Sequence, residues 1–277
     1  LERDGGGGSA RSESSEYKQR PLDSTACAAQ AVHGEVLRGS GSDCRLKGND
    51  GDASEFWRIQ LRKKVMSKVG GIVLCGGKSS RMGLDKALLP FGPERMLQRV
   101  VRLLSTVVAP TVVVAAEGQE LPELPGTVTI VRDLRPERGP LEGMGAGLEA
   151  IAPHADAAYI TACDVPLLEP AFVRAMIARL GENDAAVPTD GALLHPLSAV
   201  YRTSVLGPLR ELLAADRLRP VFLYDRVPTA KVSVDELRVA DPQLKTLLNL
   251  NQPADYLAAL AQAGLEADPE ILAALGK

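Results

Sequence analysis

A chain of 277 residues, 45% hydrophobic and 24% charged, can build one large core and has the composition of a soluble globular protein. Its net charge of −3 offers no general excess of positive charge for nucleic-acid or membrane-surface binding, so any phosphate site must be local. The 4 cysteines form no CxxC pair and the 3 histidines are scattered, which argues against a zinc cage or disulfide framework. No apolar run reaches the roughly 18 residues of a membrane span and no export signal opens the chain, so the expected setting is a reducing cytoplasm.

Residues 1–65 carry Gly5 to Gly8 in a row and mix Ser, Gly, Asp, Glu and Arg without helix or strand periodicity, so a disordered extension is expected there. Its one concentrated signal is Phe56 to Leu61 followed by Arg62, Lys63 and Lys64, a short amphipathic helix or partner-binding patch. Met66 stands directly before an apolar run and is the expected physiological start, with the folded domain at residues 66–277.

From Met66 onward, short apolar runs alternate with helical ones. Strands are predicted at Ile72–Cys75, Thr111–Ala115, Val128–Val131, Ala157–Ala162, Ala185–Pro188, Pro196–Tyr201, Thr229–Val234 and Leu247–Leu250. Helices are predicted at Glu94–Thr106, Glu142–Ile151, Ala171–Leu180, Ser204–Ala214 and Ala254–Ala263. That order implies an α/β domain, its mostly parallel sheet covered by helices on both faces.

The most informative segment is Leu74-Cys75-Gly76-Gly77-Lys78-Ser79-Ser80-Arg81-Met82-Gly83-Leu84-Asp85-Lys86. It is not a Walker loop: the required first glycine falls on Ile72, with Gly71 one residue too early, and the spacer is the strand itself. What remains is a strand ending in two glycines, whose bare N–H groups favour phosphate oxygens. Arg81 adds a forked contact and Lys86 a point charge, enough to offset a triphosphate. The string lies at a strand's carboxyl end, where open α/β sheets bind ligands.

Three later segments extend the site. Asp133 closes the third strand and precedes Gly139-Pro140-Leu141-Glu142-Gly143, where small residues leave space for a base or ribose; Asp133 reads equally as a turn residue, and the glycines as helix-packing positions. Asp164 ends the strand before Val165-Pro166-Leu167-Leu168 and reads as a ligand of a hard cation such as Mg²⁺, or as an N-cap or Asx turn before the next helix. His195-Pro196 and Leu248-Asn249-Leu250-Asn251-Gln252-Pro253 follow, with Asn251 readable as a helix N-cap. Arg217 and Arg219 read either as a phosphate-meeting pair or as solvated surface.

The first string resembles the LAGGxSxRMGxDKxLL signature of nucleotidyltransferases with a Rossmann-like fold, above all the guanylyltransferases that attach GMP to molybdopterin. Gly139–Met144 is similar to their GPLAGM, Cys163–Leu168 to their CDxPxL, His195–Tyr201 to an HPxxxLY-like strand and Asn249–Pro253 to NVNTP. Cys75 and Glu142 stand where the family more often has alanine. The resemblance implies a GT-A-type fold and transfer of GMP from GTP to molybdopterin with Mg²⁺. It further implies that Leu74, Cys75, Gly76, Gly77, Lys86, Asp133, Gly139, Pro140, Gly143 and Asp164 bind the nucleotide. Arg81, Lys86 and Asp164 would be catalytic, Asp164 the metal ligand, and His195, Asn249 and Asn251 would face molybdopterin. Cofactor-inserting chaperones or target molybdoenzymes would be partners. A sister enzyme using CTP or another phosphorylated acceptor, and a non-catalytic nucleotide-binding protein, are the alternatives.

Overall fold

The computed structural model describes residues 68–75, 84–133, 135 and 138–275. The N-terminal stretch, with Phe56 to Leu61 and Met66, lies outside the described residues, as do Gly76, Gly77 and Arg81. Strands β1 (Val69–Leu74), β2 (Pro90–Phe91), β3 (Glu94–Arg95), β4 (Thr111–Ala116), β5 (Val128–Asp133) and β6 (Ala157–Ala162) are followed by β7 (Ala185–Asp190), β8 (Leu193–Leu194), β9 (Ser198–Arg202) and β10 (Thr229–Ser233). The helices are α1 (Met96–Ser105), α2 (Pro140–Ile151), α3 (Pro170–Arg179), α4 (Leu206–Ala214), α5 (Val234–Leu237), α6 (Pro253–Gln262) and α7 (Pro269–Leu275).

The main sheet runs β10-β7-β9-β6-β1-β4-β5, with β8 paired to β7, and β2 and β3 form a separate hairpin. β1 is parallel to both β4 and β6, β5 to β4 and β10 to β7, whereas β9 runs antiparallel between β6 and β7. The predicted Rossmann-like α/β fold is therefore present, with β9 and the short β8 as reversed strands.

Burial on both faces explains why the central strands are continuous apolar runs rather than alternating ones. In β1, Val73 faces the cluster under α1 and α3, with Leu97, Val100, Leu104, Phe172 and Met176. Ile72 and Leu74 face the opposite cluster under α2 and α4, with Leu141, Met144, Leu148 and Leu209. A third cluster joins the β2–β3 hairpin to α6 through Phe91, Leu89, Leu250 and Tyr256. The Tyr256 hydroxyl donates to the Pro90 carbonyl at 2.5 Å, so α6 is tied to the segment that follows Lys86.

Two predicted elements differ. Glu94 and Arg95 belong to the hairpin rather than to α1, because Arg95 is extended at the helix N-cap. Leu247–Leu250 is not a strand: a 3₁₀ turn occupies Lys245–Leu247 and a loop follows. The apolar run reflects point anchoring, since Leu248 is exposed while Leu250 is buried in the third cluster. Buried Asp241 secures this region by accepting from the Thr246 backbone N–H and hydroxyl, both at 2.8 Å.

The α2 string of small residues lets the helix lie close to the sheet. A Cβ on Gly147 would come within 2.6 Å of Ile72 Cγ2 and 3.1 Å of Val114 Cγ2, both in the core. Gly147→Ala should therefore destabilise the fold by about 1–3 kcal/mol, the usual cost of overpacking, as a lowered denaturant midpoint at unchanged m-value.

Candidate active site

The carboxyl ends of β1 and β6 are neighbours because the strands pair in register, Leu74 beside Ala162, and the Cys163 N–H donates to the Leu74 carbonyl at 3.0 Å. That register places whatever follows β1 next to Asp164. Lys86 opens a 3₁₀ turn, Lys86–Leu88, capped by Asp85, whose carboxylate accepts from the Ala87 N–H at 2.9 Å. From there the Lys86 ammonium donates to Asp164 Oδ2 at 2.9 Å and to Asn251 Oδ1 at 3.2 Å. The Lys86 and Asp164 side chains keep only 16% and 14% of their surface exposed.

Asp164 Oδ1 is buried and has no hydrogen-bond partner among the described residues. A buried carboxylate oxygen without a donor is costly, so its presence marks a position for a positive or polar group. The N-cap reading of Asp164 does not hold: Glu169 is the residue that flanks α3. The N-cap reading of Asn251 fails too, since Gln252 is the cap, and Asp255 Oδ2 accepts from both the Asn251 and Gln252 N–H groups at 2.9 Å. Asp255 thereby holds the Asn251 backbone while the Asn251 side chain is free to meet Lys86. Asn249, two residues earlier, is exposed.

Leu74 and Cys75 are buried, and the Cys75 thiol is held well above its ordinary range, first by a hydrogen bond shared with the Cys163 thiol and then by burial. A protonated, enclosed thiol is a packing group and not a nucleophile. Gly139, the cap of α2, has φ +76°, a conformation that favours glycine, and Pro140 follows at the first helical turn. Both are exposed. Gly143 is buried, and a Cβ there would meet Leu74 Cδ2 at 3.5 Å, an ordinary contact distance, so packing does not demand glycine at this position. Asp133 accepts the Arg135 N–H at 3.0 Å, the turn geometry that its sequence allowed.

Glu142 is also buried. It is bound by Arg135 and, at 3.1 Å, by Arg138, which further reaches Asp216 Oδ1 at 3.1 Å and the Leu213 carbonyl at 2.8 Å. Arg217 stacks over Phe222 with its guanidinium carbon 4.1 Å from the ring centre; Arg217 and Arg219 are both exposed. His195 lies before β9, its N–H on the Pro188 carbonyl at 3.0 Å, and burial lowers its pKa. Two clefts, of about 640 and 670 Å³, lie on either side of β5; Asp133 lines the larger, and neither is lined by Lys86 or Asp164.

Comparisons with known proteins identify the family in which this fold occurs. Residues 71–229 match the model of the MobA-like NTP transferase domain. The chain belongs to that family. It is 34% identical over 198 residues to a probable molybdenum cofactor guanylyltransferase of Pelotomaculum thermopropionicum, covering 72% of this chain and 95% of the relative. Against a protein of the same description from Mycolicibacterium paratuberculosis, identity is 38% over 201 residues, covering 71% and 96%. The fold is similar to that of the Archaeoglobus fulgidus molybdopterin-guanine dinucleotide biosynthesis protein A, with a TM-score of 0.58 at 21% identity over 70% of this chain and 98% of that one. This MobA-like chain is thus a nucleotidyltransferase.

Residues missed by sequence reasoning are those that hold the site together: Asp85 as a turn cap, Asp255 behind Asn251, Tyr256 on Pro90, and Gln119. Only Asp255 carried a local signal, three residues after the helix cap. Because the Cys75 thiol is enclosed and protonated, Cys75→Ala should keep turnover within about threefold of the parent, and the native Cys75 thiol should resist alkylation that the unfolded chain undergoes.

Proposed function

We propose that this nucleotidyltransferase transfers GMP from GTP to the terminal phosphate of molybdopterin and releases pyrophosphate. The observation that carries the phosphate chemistry is the division of Asp164: one oxygen on the Lys86 ammonium, the other buried and without a partner among the described residues. The names of the curated relatives support guanine and molybdopterin as the substrates.

An ammonium has three donors, and Asp164 and Asn251 take two, so Lys86 keeps one for a phosphate oxygen. In the reaction an oxygen of the acceptor phosphate forms a bond to the α-phosphorus, and the bond from that phosphorus to the bridging oxygen of pyrophosphate breaks. The attacking phosphate is already ionised, so no side chain has to remove a proton. The work of the protein is alignment and charge stabilisation, with Lys86 opposing the negative charge that develops on the phosphates. Gly76, Gly77 and Arg81 are proposed to complete the cradle, Asp133 and the Gly139-Pro140 turn to border the nucleotide, and His195 and Asn249 to face the acceptor.

Asp164 fits a divalent cation, which we propose is Mg²⁺. Its free oxygen is a hard donor, and no group of three or more acidic, His or Cys side chains among the described residues would cage an ion alone. That suits an ion that takes its remaining ligands from phosphates and water, and that lowers the charge of the reacting phosphates when bound. The free thiols at Cys75 and Cys163 suit the proposed reducing cytoplasm.

Purified protein with Mg²⁺, molybdopterin and each of GTP, CTP, ATP and UTP in turn should release pyrophosphate and form a dinucleotide product with GTP. Selectivity for CTP would transfer the reading to a cytidylyltransferase. Asp164→Asn should lower kcat by about 10³-fold while GTP binding changes by less than about tenfold, measured by single turnover and by titration calorimetry; unaltered turnover would remove Asp164 from the mechanism.

A further inference from the structure

We propose that Gln119, in the turn between β4 and β5, is the positioning residue for Lys86. Its side-chain amide spans three elements that sequence does not connect. Oε1 accepts the Ala116 N–H at 3.1 Å, at the end of β4. Nε2 donates to the Cys75 carbonyl at 3.2 Å, where β1 ends, and to Asp85 Oδ2 and Oδ1 at 3.0 and 3.3 Å. The turn that carries Gln119 is itself stapled to β5, because Arg132 Nη1 donates to the Gln119 carbonyl at 2.8 Å and to the Ala116 carbonyl at 3.0 Å.

The consequence runs through Asp85. That carboxylate caps the 3₁₀ turn whose first residue is Lys86, so whatever holds Asp85 sets where the Lys86 stem begins. The same amide also holds Cys75, the last described residue before the glycine segment, while Asp85 follows that segment. One side chain therefore fixes both ends of a chain excursion that leaves β1 and returns as Lys86. The donor inventory explains the residue type. A backbone N–H, a backbone carbonyl and a carboxylate must be met together, which takes one acceptor and two donors at the reach of a primary amide. A carboxylate of the same length would face Asp85 and the Cys75 carbonyl as three acceptors without a proton. Gln119 acts through Asp85 and not on the substrate.

The role of Lys86 as a phosphate ligand rests on the function proposed above, so the test reads the position of Lys86 and the reaction separately. Full-length Gln119→Met keeps the length and removes the hydrogen bonds; Gln119→Glu opposes Asp85; Asp85→Asn with Gln119→Glu exchanges donor and acceptor across the pair. Hydrogen exchange of the peptide over residues 84–91 reports the Asp85 cap directly, because the Ala87 N–H is bonded to it. We expect both single Gln119 variants to speed that exchange about tenfold and to lower kcat/KM for GTP by about 10- to 100-fold, with the melting temperature and the exchange of β1, β4 and β6 unchanged. The exchanged pair should recover at least about half of the lost protection on a logarithmic scale. Unchanged exchange over residues 84–91 in Gln119→Met, or an exchanged pair no better than Gln119→Glu alone, would overturn the proposal. A parent protein that turns over no nucleoside triphosphate would instead overturn the proposed function, and the exchange data would still decide the role of Gln119.

Discussion

The contact between Lys86 and Asp164 is the constraint around which the rest of the site is built. Two charges 78 positions apart in sequence are held 2.9 Å apart with most of each side chain out of solvent. Removing one partner of such a pair leaves the other charge without compensation, which in buried settings costs about 3–5 kcal/mol. The pair is therefore held from outside: by the β1–β6 register, by the Asp85-capped turn, and by the C-terminal segment. That segment contributes Asn251 to Lys86, and the Leu250 N–H to the Asp164 carbonyl at 3.0 Å. The third hydrophobic cluster, with Tyr256 on Pro90, locks this late segment against the hairpin that follows Lys86.

How much of this was legible in sequence depended on whether the signal was local. The β1 strand and its glycine exit, the strand leading to Asp164, and helices α1 to α4 follow from apolar runs and periodicity within a few residues of each element. The Leu247–Leu250 strand failed because a run of leucines records burial but not its geometry: here Thr246 and Leu250 are pinned from opposite ends and Leu248 faces solvent. Asn251 was legible as a polar turn residue, but its partner was not, since Lys86 lies 165 positions away. Gln119 carried no signal at all. A glutamine in a Glu-Gly-Gln-Glu turn is an ordinary surface residue until the strands around it are placed in space.

The glycines near α2 show why a motif is not a single physical statement. Gly139 is required by its backbone conformation and Gly147 by the nearness of Ile72 and Val114, whereas a Cβ on Gly143 would make only ordinary contact with Leu74. One string of small residues thus serves a turn at the start of α2 and a close helix–sheet seam behind it. The helix-packing reading holds for Gly147, whereas Gly139 answers to its backbone conformation.

Glu142 extends that point to a departure from the family pattern. An acid at the start of α2, where alanine is more usual, would seem to work against an anionic ligand at the same helix end. It is consistent with the helix dipole, which favours negative charge in the first turn, but the burial of Glu142 demands more than that. The chain supplies it locally: Arg135 and Arg138 both close on the carboxylate, and Arg138 continues to Asp216 and the Leu213 carbonyl. The substitution is thus absorbed by two arginines that share the loop leading from Asp133 to Gly139. The acid offsets the charge of both arginines at the start of α2, and Arg138 ties that end to α4. Charge balance at the start of α2 is consequently set by a network of Arg135, Arg138, Glu142 and Asp216, separate from the Lys86–Asp164 pair.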